Sequence, residues 1–367
     1  MRSNNLPYEP RLDHLRFFAA LIVFLFHVYH FYYLNWKPHP DNAWLGLLVE
    51  GHTGVSLFFV LSGFIFMQIA LHSDHLHYRR FMGNRFLRIA PLFLVIFFIA
   101  ISVGRDSFKG YYLFYTLFSN LGEAPTSGTF ITGAAWTISI EFTFYLIFPF
   151  IARFFKEQGY GYMLRLLTLM VLIKFASFYA SERSTHMFYS TLIGRLDQFL
   201  MGMLFARIYI DYGKRLAHWA WPLLLLATAI VYANSFIQAR SFSFFLENPK
   251  QFFWITWSLQ ESLGWALFVV AYMLMPLQIP SALDRTMCRL GEVSYSFYLL
   301  HGMVIFLVFK TLGPLHWFER EQLNALVNAT ILFVLVWLVA QISYHTIERP
   351  FLMMRKRYVD EQEKEPA

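Results

Sequence analysis

Residues 11–30 read RLDHLRFFAALIVFLFHVYH. A charged opening, Arg11, Asp13 and Arg16, gives way to an apolar run suited to a bilayer core about 30 Å thick. His27 lies deep in that run. Eleven helical steps of ~100° come to about three turns, so Arg16 and His27 share one helix face, ~16 Å apart along the axis. With Arg16 at one membrane surface, His27 falls near the bilayer centre, where an ionisable group is a functional candidate by default. The plain alternative is a neutral histidine hydrogen-bonded inside a bundle.

The composition carries the same message along the whole chain. The 367 residues are 57% hydrophobic and 20% aromatic, with only 14% charged, against about 25% in a soluble domain. The chain therefore reads as an all-α, polytopic membrane helix bundle. Ten apolar runs are candidate spans: 15–34, 53–71, 87–104, 134–152, 163–180, 192–210, 219–238, 254–275, 293–311 and 325–345. An even number puts both termini on one side. Taking that side as cytoplasmic places 20 Lys and Arg inside and 9 outside, with Lys174 left within a span. That is the bias of the positive-inside rule. The net charge of +7 is explained by this bias and is not read as nucleic-acid binding. The lone cysteine, Cys288, excludes an internal disulfide. It is read as a bystander in a basic loop, the alternative being an acyl-carrying nucleophile. No leader with a cleavage site precedes the first run, which is read as an uncleaved anchor.

The entry D-x-L-R followed by R-x10-H resembles the acyltransferase 3 family of integral-membrane acyltransferases. Six further stretches carry the resemblance. Residues 54–66, GVSLFFVLSGFIF, match the family's G-V-x-L-F-F-V-L-S-G-F signature; Gly54, Ser62 and Gly63 read first as packing residues. Residues 80–93, RFMGNRFLRIAPLF, hold R-x-x-R-I-x-P, with Arg85 and Arg88 on one helix face at a helix start. Two guanidiniums there suit phosphate. They equally suit lipid headgroups or plain anchoring. Residues 134–150, AAWTISIEFTFYLIFPF, hold Trp136, Thr137, Glu141, Phe144 and Tyr145 in the family pattern. Residues 290–306 hold Tyr295, Tyr298 and His301 on one face, and 194–206 hold Arg195, Phe199, Gly202 and Ala206. HTIERPF, 345–351, ends the family region; Glu348 there reads as a surface partner of Arg349.

Glu141 lies ~10 Å below the outer end of its run, and His27 reaches a similar depth from the other side. A His27–Glu141 pair is thus the expected catalytic arrangement: it would orient the imidazole and stabilise its charged form. Arg195 is the other partner considered for Glu141, and a binder of acceptor hydroxyls. His301 is a second candidate base, with Tyr295 and Tyr298 beside it. Arg16, Asp13, Arg85 and Arg88 are assigned to donor binding or support. His72, His75 and His77 lack metal-ligand spacing, so no metal site is expected.

The resemblance implies a membrane O-acyltransferase. It would move an acyl group, acetyl first, from acetyl-CoA or another acyl-CoA to a hydroxyl of a cell-surface glycan or glycoconjugate. The expected setting is a bacterial inner membrane, with membrane lipids as surroundings and no bound cofactor. The family's acceptors include envelope polysaccharides, lipopolysaccharide, Nod factors and macrolides. A transporter or flippase of a lipid-linked sugar is the competing reading, weakened by the lack of an internal repeat. The domain expectation is a catalytic membrane domain over 1–348 and a short, charged, disordered cytoplasmic tail over 349–367. The long Gly- and Thr-rich loop 105–133 is expected over a substrate entrance. With no room for a further soluble domain, the bundle is expected to carry all the chemistry.

Overall fold

The computed structural model describes residues 5–33, 36–107, 129–246, 248 and 250–360. Eleven long helices make the fold: α1 Pro10–Tyr32, α2 Thr53–Leu71, α3 Tyr78–Gly104, α4 Trp136–Gln158, α5 Tyr160–Ala180, α6 Leu192–Leu216, α7 Ala220–Ile237, α8 Trp254–Leu274, α9 Ser281–Glu292, α10 Ser294–Thr311 and α11 Glu321–Ser343. Among the described residues there is no strand, only an isolated bridge between Leu76 and Val359. The protein is an all-α polytopic bundle.

Among the described residues, eight helical stretches are long and apolar enough to cross a membrane. The ten expected runs differ from that number at two places. The stretch Leu192–Phe242 holds 51 residues, ~77 Å of helix, more than twice a bilayer core. It breaks at Ala217–Trp219 into α6 and α7. Arg195, early in α6, bonds Ser56, and Gln238, just past α7, reaches His52, so the chain has turned back. The other place is α8, a 21-residue helix that falls short on apolarity. It carries Ser258, Glu261 and Ser262, all buried; Ser258 bonds Asp197 of α6, Glu261 accepts from Ser56 of α2, and Ser262 donates to Leu259 of its own helix.

Small residues bring the central helices into backbone contact. A Cβ on Gly63 of α2 would lie 2.1 Å from the Phe199 carbonyl of α6, and one on Gly202 would lie 2.1 Å from the Val60 carbonyl. The two family stretches containing these glycines therefore form one crossing, as their small residues imply. α1 runs up the middle, packed by α2, α9, α10 and α11. It starts cleanly: the Glu9 side chain caps the Arg11 N–H and Pro10 occupies the first turn.

The expectation for the C-terminal end needs correcting. Residues 349–360 are not a free tail. The Tyr358 N–H donates to Asn5 Oδ1 at 3.0 Å, its carbonyl accepts from His77 N at 2.8 Å, and its ring is buried. These bonds gather both termini and the α2–α3 turn at one end of the bundle, called inner below. Residues 361–367 lie outside the described set, as do 108–128 of the loop expected to cover an entrance. Nor are Arg85 and Arg88 at the helix start expected for them: α3 begins at Tyr78, and both they and Pro91 lie inside it.

Candidate functional site

Two cavities lie along α1. The inner one, of about 240 Å³, takes Asp13 and Arg16 from α1, Ser62 from α2, Arg85 and Arg88 from α3, and Glu141 and Tyr145 from α4. Tyr295 and Tyr298 of α10 and Arg355 of the C-terminal segment complete it. Four guanidiniums thus converge on one space. Arg16 is held by Asp13 at 2.6 Å, and Asp13 also accepts from Tyr8 at 2.9 Å. Arg85 is held differently: its guanidinium lies 4.8 Å from the Phe66 ring centre and 5.6 Å from that of Phe81. Its buried Nε has no hydrogen-bond partner. Arg88 lies 5.5 Å from the Tyr295 ring centre and 3.9 Å from Glu348. Aromatic faces steady such cations without neutralising them. Burial and the fields of Arg88 and Arg85 lower the Arg355 pKa to about 10. Four carboxylates, Glu9, Asp13, Glu141 and Glu292, line the same cavity, so its charges are balanced in number.

The helices deliver these groups by simple rules. Arg85 and Arg88, three residues apart, face the same way, as their spacing predicts. Glu141 and Tyr145, four apart on α4, meet at 2.9 Å through the Tyr hydroxyl. Glu348 is fully buried, contrary to the expected surface pair with Arg349. The widened turn Tyr344–Glu348 aims it inward, where Ser296 donates to it. Arg349 instead lies on the outside, near His345.

The outer cavity, of about 190 Å³, is lined by His27, His52, Trp36, Trp136, Tyr189 and Phe244, among others. His27 Nδ1 donates to the Val23 carbonyl at 2.8 Å, which leaves Nε2 as the lone-pair nitrogen. The His301 ring centre lies 4.6 Å from that of His27. His301 Nδ1 bonds the Tyr298 carbonyl at 2.5 Å, and its buried Nε2 has no partner.

The expected His27–Glu141 pair is not formed. The two residues line different cavities, and among the described residues no hydrogen bond or ion pair joins them. The physical reason lies in α3 and α10, whose Arg85, Arg88 and Tyr295 crowd around Glu141. Val55 and Tyr298 line both cavities and form the wall between them. The Tyr298 hydroxyl donates to the Ala134 carbonyl at 3.2 Å.

Arg195 is a partner of neither Glu141 nor the exposed outer surface. It is fully buried, donates to Ser56 at 3.0 Å and to the Tyr189 carbonyl at 2.6 Å, and sits 4.4 Å from the Trp257 ring centre. It props the aromatic wall of the outer cavity from behind. Asp197 pairs locally with Lys174 at 2.6 Å, which accounts for the one basic residue stranded in a span.

Sequence reading missed a buried His–carboxylate pair at the outer cavity. His52 Nε2 lies 3.1 Å from Glu50 Oε2; both side chains are buried, and His52 Nδ1 has no partner. The Gln238 amide stands 3.0 Å from the same Nε2. The cue was the spacing E-x-H just before α2, residues 50–52, which a focus on the following signature passed over. Arg355 and Tyr145 were also missed. Cys288 does not line either cavity. Burial pushes its thiol pKa up, and Asp284 and Asp13 add to that against an opposing pull from Tyr8, so it is a poor nucleophile.

Comparisons with known proteins show the family. A family model described as an acyltransferase domain matches residues 9–345. Acyltransferase MdmB of Streptomyces mycarofaciens is 27% identical over 376 residues, covering 95% of this chain and 92% of its own. O-acetyltransferase OatA of Staphylococcus aureus (strain NCTC 8325 / PS 47) is 24% identical over 374 residues, covering 94% of this chain and 57% of its own. No solved structure matches. With the family match running from the cap of α1 to the end of α11, the chain is an integral-membrane acyltransferase of the acyltransferase 3 family.

Proposed function

We propose that the protein carries an acetyl group from acetyl-CoA, bound in the inner cavity, to a hydroxyl of a glycan or glycoconjugate held in the outer cavity. The setting is a bacterial inner membrane with the inner end in the cytoplasm. One observation carries this reading: a cavity of arginines and a cavity of imidazoles share Val55 and Tyr298 as a common wall. The phosphates of a CoA thioester match Arg85, Arg88, Arg16 and Arg355, since guanidinium forks suit phosphate oxygens. The basic residues gathered at that end support its cytoplasmic orientation.

In the reaction the acceptor hydroxyl attacks the thioester carbonyl at the wall. His27 Nε2 takes the hydroxyl proton, which its lone-pair tautomer allows. The C–O bond forms, the C–S bond breaks, and CoA leaves as a thiolate that takes up a proton. The Tyr298 hydroxyl at the shared wall would donate to the transient oxyanion by turning away from the Ala134 carbonyl that it bonds here. His52, with Glu50 behind it, adds a second oriented imidazole on the acceptor side. The aromatic lining offers flat apolar faces to a sugar ring.

The test is transfer of radiolabel from acetyl-CoA in membranes containing this chain and bacterial envelope glycans. Label in the glycan fraction, absent with His27→Ala at equal protein level, is the expected result. Label remaining with His27→Ala would overturn the assigned base.

A further inference from the structure

A cluster outside both cavities has not been used so far. His14 of α1 is 1% exposed, and its Nε2 faces two groups of α9 at once: Asp284 Oδ1 at 3.2 Å and Cys288 Sγ at 3.4 Å. All three donor atoms lie within 4.8 Å of one another. Asp284 and Cys288 are four residues apart on α9 and so share its face. The other ring nitrogen, Nδ1, stands 2.9 Å from the Tyr272 hydroxyl of α8.

A single imidazole nitrogen offers one proton or one lone pair, not one for each of two neighbours. With Nδ1–H given to Tyr272, the Nε2 lone pair points toward a carboxylate oxygen and a sulfur. Without a metal the Cys288 thiol proton can be shared with Nε2; a cation that displaces this proton would be held by the nitrogen, the carboxylate oxygen and the sulfur together. Zinc bonds of ~2.0–2.1 Å to nitrogen and oxygen and ~2.3 Å to sulfur give tetrahedral edges of ~3.3 Å for N···O and ~3.6 Å for N···S. The observed 3.2 and 3.4 Å are close to those edges. Tyr272 supplies the outer hydrogen bond that metal-bound histidines need. The Asp284 side chain, 36% exposed, leaves a solvent route for loading and a fourth position for water.

We propose that His14, Asp284 and Cys288 bind a zinc ion. Nitrogen, carboxylate and thiolate together favour zinc over harder cations such as magnesium. The site would clamp α1 to α9 at the rim of the inner cavity. Asp13, next to His14, and Gly291 both line that cavity, and a Cβ on Gly291 would meet the Asp13 carbonyl at 2.0 Å. The inference does not depend on which donor or acceptor the enzyme uses. It departs from the sequence reading, which found no metal pattern. The cysteine and the histidine lie 274 residues apart, so no local spacing announces them.

The experiment uses the full chain purified in detergent, its affinity tag removed and no chelator present. Zinc content is measured by inductively coupled plasma mass spectrometry, then zinc is exchanged for cobalt(II). The expected result is one zinc per chain and a thiolate-to-cobalt charge-transfer band, both lost in Cys288→Ser. Tyr272→Phe should keep the band but weaken zinc affinity ~10–100-fold, because it alters only the outer hydrogen bond. A zinc-supplemented wild type without stoichiometric metal would overturn the proposal, as would a Cys288→Ser protein with an unchanged cobalt spectrum. Should His14→Ala fail to fold, these two variants still decide the matter.

Discussion

The inner and outer cavities are similar in size, about 240 and 190 Å³, and opposite in chemistry. The inner one collects four arginines. Two of them, Arg85 and Arg88, rest on aromatic faces rather than in tight pairs with acids. The outer one places His27 and His52 among aromatic rings, with one ring nitrogen of each anchored by an acceptor and the other unbonded. Guanidiniums that rest on aromatic faces keep their donors for an anion. An anchored imidazole with a free nitrogen is suited to moving a proton. On the function proposed above, the difference divides binding and chemistry along the axis of α1, with Arg16 at the first station and His27 at the second. The division also shows why one helix carries both ends of the R-x10-H pattern.

The division can be broken most severely at His27. His27→Ala should lower the transfer rate by ~10²–10⁴-fold, the usual worth of a general base, with the KM for acetyl-CoA little changed. Steady-state kinetics with varied donor would check it, and a rise in donor KM with an intact rate would erase the distinction between the cavities. Next in size is Arg88→Gln. Losing a charged hydrogen bond costs about 1.5–3 kcal/mol, so donor KM should rise roughly tenfold to a hundredfold. Its acceptor KM should hold, and equal changes in both would count against a donor-only cavity.

Smaller still is the effect of Glu50→Gln. The amide keeps the size but cannot support a charged His52, and the expected loss is about tenfold in rate. The sharper readout is the pH–rate profile, whose lower limb should shift only if His52 takes part. Smallest is Glu141→Gln. Since Glu141 faces Arg85, Arg88 and Tyr145 and not His27, removing its charge should tighten or spare donor binding. The pH dependence of transfer should stay as in the wild type. A shifted pH profile would restore the abandoned His27–Glu141 pair.

What was legible in the sequence was local. Apolar runs marked the helices, because every backbone group in lipid must be bonded within its own segment. Arg85 and Arg88 were readable together because three residues along a helix is one face. The small residues around Gly63 and Gly202 correctly signalled close packing, though not that they pack against each other. What was not legible came from chain segments meeting at a distance. Arg355 enters the inner cavity from a segment that composition marked as a loose tail. Tyr358 holds that segment down through Asn5 and His77, contacts that no spacing encodes. Glu348 was assigned to its chain neighbour Arg349, yet one widened turn sends it into the core beside Ser296 and Arg88. Glu141 and His27 were matched by depth alone. Depth fixes a level in the membrane but not a direction around the bundle, and α4 directs Glu141 toward α3.

The most direct test of the division is equilibrium binding of acetyl-CoA to the purified protein, wild type against Arg85→Ala and His27→Ala, by isothermal titration calorimetry. The account predicts that Arg85→Ala binds at least tenfold more weakly, while His27→Ala, inactive in transfer, binds like the wild type. Binding lost in His27→Ala and kept in Arg85→Ala would contradict it.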